Sequence, residues 1–408
     1  MAKKPVVLLA VLDAVGLTTL EYLLRRHPGK VRFPNLSRLG LGSIVAPDLK
    51  ARFGKASGRD FAAGVEQASA SADSVIGHRE MMGIIDDRTY GLFPEGFPPD
   101  FIRALEERIG RKTMYNRMAG GVEAIERNAA EHARTGRPIV YASKCDPVIQ
   151  VAMDEAVVPV PEQHAIGEKV FELARERGIQ VTRSISRAYV RSKSGEVTRT
   201  ANRHDTVLPL DGRTLVDVLS SARVWTSAVG KTSDLVNTRY HETIKLTERA
   251  YLDPRLGLRF VHPKGKDTNP FVTQGVVNAL TSAGACFRPN GAFIFANFVD
   301  CDSLYGHTRD IPGALASIAE FDRILPILER ALGPGGLLML TADHGMEHRP
   351  DYGFHHKEPV PLLVERIGGA ASREFRPLAK AEGMTGIGRL IAEEFGCGKD
   401  YEVTRVRR

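Results

Sequence analysis

Six residues carry the strongest chemical signal in the chain: Asp13, Asp302, His307, Asp343, His344 and His355. They mix carboxylates with imidazoles, the ligand types that suit zinc, manganese or iron. Six such ligands are the inventory of a two-metal site. Two metals a few ångströms apart can clamp both the entering and the leaving oxygen of a phosphoryl group. Singly, each piece is weak. An aspartate after a strand is more often a helix cap or turn residue, and Asp343-His344-Gly345 reads equally as a turn with a satisfied histidine. The order and context of all six together is much more specific.

Ser74 is the candidate nucleophile. It sits among small residues in SASADSVIGHREMMG, with Gly77-His78 following. A hydroxyl at a helix N-terminus beside a divalent cation is activated, because metal and helix end both favour the negative charge. The alternative is an ordinary serine N-cap. His78 and Glu80 are either orienters of metal ligands or surface residues. Cationic candidates are Arg199 and Arg203 in TRTANRHD, Arg187 upstream, and Lys231 in VGKTSD. Guanidinium forks match phosphate oxygens bidentately, whereas isolated arginines are usually solvated surface.

These residues need elements to position them. Three apolar runs, Val6–Leu12, Ala292–Val299 and Leu337–Thr341, are each followed by an Asp-bearing turn: Asp13, then Asp300 and Asp302, then Asp343. Short, continuously apolar runs read as buried parallel strands, and open α/β sheets place chemistry at the carboxyl ends of such strands. Apolar residues at helical spacing predict a helix over Ile311–Leu332, stopped by Gly333-Pro334-Gly335. Asp100–Ile109, Val122–Arg134 and Ala165–Arg177 also read as helices. The middle of the chain has its own helix-strand alternation (IVYAS, VVPV, IQVTRSI) and none of the Asp-ending strands. We read 96–212 as a domain inserted into a core formed by 1–95 and 213–408, with hinges at Pro94–Pro99 and Pro209–Gly212.

Composition narrows the partners. The 408 residues carry 56 Lys+Arg against 49 Asp+Glu, a net charge of +7, which favours anionic small molecules. The one tight basic cluster is Arg405, Arg407 and Arg408, not the dense stripe of a nucleic-acid binder. No apolar run approaches the ~18 residues of a membrane span. The first residues imitate a signal peptide, but their apolar run stops at Asp13. Four cysteines (Cys145, Cys286, Cys301, Cys397) without a CxxC pair suit a reducing, cytoplasmic setting.

LDAVG, ADSVIGHREMMG, TRTANRHD, NFVDCDSLYGHTRD and TADHG…HHKEPVPLL occur in order and at fitting distances. Together they resemble the phosphopentomutase family of the alkaline phosphatase superfamily. FPNLSRLGLG, GRKTMYNR and RTGRPIVYAS extend the resemblance nearly end to end. It implies an α/β core with a mainly parallel sheet flanked by helices, and a smaller inserted α/β cap. It implies two divalent ions, typically manganese, with Asp302, His307 and His355 on one and Asp13, Asp343 and His344 on the other. Register with Lys357-Glu358 favours His355 over the adjacent His356. Ser74 falls on the family's phosphorylated threonine.

The implied reaction isomerises a pentose 1-phosphate to its 5-phosphate through a phosphoenzyme and a bisphosphate, with a sugar bisphosphate as activator. The metals occupy the core's charges, so Arg187, Arg199 and Arg203 of the cap are the natural donors to the distal phosphate of the sugar. The sequence departs from the family at Ser74, at Ala72 and Arg79 in place of lysine and tryptophan, at Thr308 in place of arginine, and through SKCDPVIQ (143–150). Rival readings are a mutase for another sugar phosphate, a metal-dependent phosphohydrolase, and a metal-stabilised binding protein. A full cap argues against the hydrolase, and six intact ligands argue against the binding protein.

Overall fold

The computed structural model describes residues 4–27, 31–57, 61–246, 251–285, 290–348, 353–369, 375 and 378–407; Cys286 and Arg408 lie outside them. The chain divides into two compact units, Met1–Arg88 with Leu210–Arg408, and Thr89–Pro209. The second unit starts and ends earlier than the 96–212 of the sequence reading. Tyr90 and Phe93 pack into its apolar core. Leu210 packs into that of the larger unit, where Asp211 pairs with Arg88 at 2.9 Å.

The larger unit is built on a seven-stranded sheet in the order Glu242–Ile244, Trp225–Val229, Ala292–Phe298, Val6–Leu12, Leu337–Thr341, Val360–Arg366, Phe61–Val65. The first five strands run parallel, and the last two pair antiparallel. The three Asp-ending runs are therefore neighbours at the centre. Every residue of Ala292–Phe298 and Leu337–Thr341 is buried, as is Val7–Leu12. That explains their unbroken apolar character, because a central parallel strand is covered on both faces. Leu12 lies opposite Phe298, and Val11 opposite Thr341. The three strands thus end level, and their Asp-bearing turns leave the same edge.

Two groups of helices flank the sheet. Ile311–Leu332 packs with Leu17–Arg26, Pro34–Arg38 and Asn269–Ala285, and Ser74–Met81 packs with Thr232–Leu235 and Thr385–Glu394. In Ile311–Leu332 the residues expected to face inward, Ile318, Phe321, Ile324, Leu325 and Leu328, are all buried. No helix among the described residues is long and apolar enough to cross a membrane.

The smaller unit has a six-stranded mixed sheet: Met114–Ala119, Ile139–Ser143, Val148–Asp154, Arg183–Arg191 and Val197–Arg199 in order, with His204–Val207 also pairing Arg183–Arg191. Alternation along Ile139–Ser143 divides two cores. Val140 and Ala142 join Phe101 and Ile166, while Ile139 and Tyr141 join Ile125 and Tyr189. VVPV is not a strand. Pro159 caps the helix Val160–Glu176 and Pro161 lies in its first turn, where a missing N–H costs nothing. Likewise IQVTRSI becomes strand only from Arg183, and the buried strand Val148–Asp154 has no counterpart in the sequence reading.

Phe321 meets Phe298, the last residue of its central strand, edge to face at 4.8 Å. Phe321→Ala should cost about 3–5 kcal/mol in denaturant unfolding. A loss below about 1 kcal/mol would mean that this contact does not support the centre of the sheet.

Candidate active site

Asp13, Asp302, Asp343 and His344 are buried in one cluster with the His355 side chain, and His307 lies at its rim. The side-chain donors of Asp13, Asp343 and His344 lie within 4.8 Å of one another, as do those of Asp302, His344 and His355. The His344 and His355 rings stack at 3.9 Å, and His307 stacks on His355 at 5.3 Å. The structure thus brings together all six residues singled out in the sequence.

Two carboxylates have one oxygen fixed and the other turned inward. Asp13 Oδ2 accepts from Asn297 Nδ2 at 3.0 Å, while its Oδ1 lies 3.4 Å from His344 Nε2. Asp343 Oδ1 accepts from the backbone N–H groups of Ala14 and His344, both at 3.1 Å. Its Oδ2 is buried with no hydrogen-bond partner. The nearby His78 Nδ1, at 3.3 Å, already donates to the Ser74 carbonyl at 2.8 Å. His344 Nδ1 lies 2.9 Å from the Gly345 carbonyl, and a donor there leaves Nε2 facing the cluster.

Asp302 and His307 depend on an unusual helix. Five residues apart, they would point about 140° away from each other on an α-helix. Cys301–Gly306 is instead a π-helix, closed by the His307 N–H to the Asp302 carbonyl at 3.3 Å. Its wider turn sets the His307 ring 3.5 Å from Asp302 Oδ1. His355 arrives on a hairpin, paired with Met346, and its Nε2 lies 3.2 Å from Asp302 Oδ1. The neighbouring His356 is half exposed and lies 3.7 Å from Glu358.

Charge dominates this pocket. Burial, then the carboxylates of Asp343 and Asp302, raise Asp13 above the ordinary carboxylate range. Burial also works against ionised Asp302, but His307, His355 and His344 hold it well below that range. Asp343 is likewise held low against burial, by His344 and His78. Burial disfavours the imidazolium of His344, yet Asp343, Asp13 and Asp302 lift it well above its usual value. Three desolvated carboxylates require positive charge between them. With the unpartnered Asp343 oxygen, this donor set fits divalent cations.

Ser74 opens the helix Ser74–Met81, but it is not the N-cap; Asp73 is. Its hydroxyl lies 3.3 Å from Asp13 Oδ1 and 3.2 Å from His344 Nε2. Gly77 permits that closeness, since a Cβ there would fall 2.2 Å from the Asp343 carbonyl oxygen. Neither His78 nor Glu80 is a surface residue. His78 is fully buried against Asp343, and Glu80 accepts from the N–H groups of Ala68, Ser69 and Met384. Glu358 anchors the hairpin: it accepts from Thr19, whose hydroxyl in turn accepts from Met346 N–H. Gly16 and Gly345 leave it room, as a Cβ on either would meet its carboxyl at 1.9 Å.

Asn297 and Asp73 escaped the sequence reading. Asn297 had a signal, as the one strongly polar side chain in AFIFANF; Asp73 had its place one residue before Ser74.

The family model for the Metalloenzyme superfamily matches residues 6–399. A phosphopentomutase of Kosmotoga olearia is 33% identical over 372 residues, covering 90% of this chain and 86% of that one. A phosphopentomutase of Caldanaerobacter subterraneus subsp. tengcongensis is 33% identical over 426 residues, covering 98% and 97%. The chain belongs to the phosphopentomutase family. It is an enzyme of the metalloenzyme superfamily, and divalent metal binding comes with that membership. Among solved structures, Leishmania mexicana phosphoglycerate mutase is similar at 13% identity and a TM-score of 0.45, over 98% of this chain and 97% of that one.

Departures from the phosphopentomutase pattern have visible settings. Arg79 is buried and donates through Nε to the Leu235 carbonyl at 3.1 Å. Thr308 turns back onto its own turn, its hydroxyl 2.9 Å from the Leu304 carbonyl.

In the smaller unit Arg187 is largely buried. It donates to Gln150 Oε1 at 3.1 Å, and its Nε has no hydrogen-bond partner. Burial, then the charge of Arg203, pull it down to about 10, with Arg199 adding to the effect. Arg203 pairs with Asp205 through two contacts of 2.5 Å. Burial raises Asp205, but Arg203 brings it down to about 2. Arg199 is exposed. In the larger unit, exposed Lys231 precedes the short helix Thr232–Leu235, which packs on the Ser74 helix.

Gly77→Ala should destabilise the protein by about 1–3 kcal/mol through overpacking against Asp343. It should also shrink the rise in melting temperature that added divalent metal gives. Wild-type stability and an undiminished metal response would mean that helix and Asp343 turn do not need this contact.

Proposed function

We propose that the enzyme interconverts the 1-phosphate and 5-phosphate of a pentose, ribose or deoxyribose, through a phosphoserine at Ser74 and a sugar bisphosphate. One observation supports this above the others: the Ser74 hydroxyl stands within 3.3 Å of Asp13 and His344, at the first turn of its helix. In this reading Asp13, Asp343 and His344 hold one divalent ion, and Asp302, His307 and His355 the other. Manganese is the metal suggested by the family resemblance. When bound, the ions would lower the pKa of the hydroxyl and neutralise the phosphoryl oxygens.

The remaining steps belong to the chain. Ser74 begins phosphorylated, primed by a sugar bisphosphate, and the N-terminal turn of its helix favours the added negative charge. The P–O bond to Ser74 Oγ breaks as a new one forms to a hydroxyl oxygen of the sugar phosphate. The hydroxyl proton ends on Ser74. The resulting bisphosphate reorients, and its other phosphate returns to Ser74, releasing the isomer. Water competes for the same phosphoryl group and must be kept from the phosphoserine. The second phosphate of the sugar needs cationic partners of its own, for which we propose Arg187, Arg199 and Arg203, with Lys231 as a further contact. The substrate is a small cytoplasmic sugar phosphate.

Phosphorus NMR of manganese-loaded protein with a panel of sugar 1-phosphates tests the reaction. Positional transfer is expected, and free phosphate alone would mean a hydrolase. Ser74→Ala should abolish turnover with little change in melting temperature, whereas Ser74→Thr should keep substantial activity. Near-normal turnover by Ser74→Ala would rule out the phosphoserine.

A charge-assisted contact to phosphate contributes about 1.5–3 kcal/mol. Arg203→Ala should therefore raise KM for the sugar phosphate by roughly one to two decades, while sparing hydrolysis of a small aryl phosphate. Equal loss on both substrates, or no loss on either, would assign Arg203 to its pairing with Asp205.

A further inference from the structure

Asp73 shows the same asymmetry as Asp343. It is fully buried. Its Oδ1 accepts from the Val75 N–H at 2.9 Å and so caps the helix that carries Ser74. Its Oδ2 is buried with no hydrogen-bond partner, and it faces His355 Nδ1 at 3.8 Å. The other ring nitrogen of His355 points to Asp302 at 3.2 Å. The imidazole thus stands between two carboxylates, one on the side of the candidate metal and one behind.

Capping alone does not explain an acid here. Serine or asparagine caps a helix as well as aspartate does. An unpaired carboxylate oxygen is costly in a buried place and calls for a donor. The nitrogen facing it is His355 Nδ1, and roughly 1 Å of movement would bring the pair into hydrogen-bond range. Metal-bound histidines almost always donate their second N–H to such a group, which fixes the tautomer and the ring orientation.

We infer that Asp73 is a positioning residue for His355, its Oδ2 accepting a hydrogen bond from Nδ1–H so that Nε2 offers its lone pair to a divalent ion. One side chain then sets both the start of the Ser74 helix and the aim of a ligand. The inference rests on the reading of His355 as a metal ligand.

Full-length protein stripped of metal is titrated with manganese, and the free ion is followed by electron paramagnetic resonance. Asp73→Ser keeps a cap and removes the acceptor. Asp73→Asn keeps the cap and turns an amide donor toward Nδ1, favouring the wrong tautomer. His355→Ala serves as reference. Both Asp73 variants should melt near wild type without metal and should weaken one of two manganese sites by about 10–100-fold. That site should be the one His355→Ala weakens, and the other should be unchanged. If both Asp73 variants bind as wild type does while His355→Ala loses an ion, Asp73 is only a helix cap and the inference is overturned. Equal weakening of both sites with a lower melting temperature would assign it to architecture and overturn it too. If His355→Ala itself binds both ions normally, the ligand reading fails, and the inference falls with it.

Discussion

Three carboxylates, Asp13, Asp302 and Asp343, are taken out of water at the carboxyl ends of neighbouring strands. Like charges so close and so poorly hydrated repel strongly, which is why Asp13 is raised by burial and then by the other two. Much of the larger unit offsets that repulsion. Histidines come in from a strand turn, a π-helix and a hairpin, and N–H donors from Asn297 and Ala14 each fix one oxygen. The donor set that remains fits divalent cations, which would complete the neutralisation.

This constraint reaches into parts of the chain that carry no chemistry. Glu358 must lie beneath the site to hold Thr19 and, through it, the hairpin of His355. That demands glycine at 16 and 345. Gly77 is demanded for the same kind of reason, because the helix presenting Ser74 must approach the Asp343 backbone. A helix-interior glycine is unfavourable by itself; here close approach outweighs propensity.

The smaller unit has the opposite imbalance. Burial first, and then the charges of Arg203 and Arg199, pull Arg187 down to about 10. Asp205 pairs with Arg203 through two short contacts. A set of cations with one paired acid suits an anion as the carboxylate cluster suits a cation.

By itself the sequence determined the elements whose pattern is local. Val6–Leu12 and Leu337–Thr341 are strands with the bounds their apolar runs mark, and Ile311–Leu332 is a helix that ends at its glycine breaker. Residue types and order also marked the six ligand candidates and Ser74. VVPV failed because two prolines favour a helix start over a strand, a choice that apolarity does not record. Only the tertiary structure decided what depends on residues distant in the chain. It turned His355 inward and left His356 exposed, and it widened one turn so that Asp302 and His307 share a face. It also aligned Asn297 and Asp73 behind the cluster. Asp13 and Asn297, joined in this way, stand 284 residues apart in the chain. Contacts of that kind are set by strand register and by the balance of buried charge, and neither is written in a local run of residues.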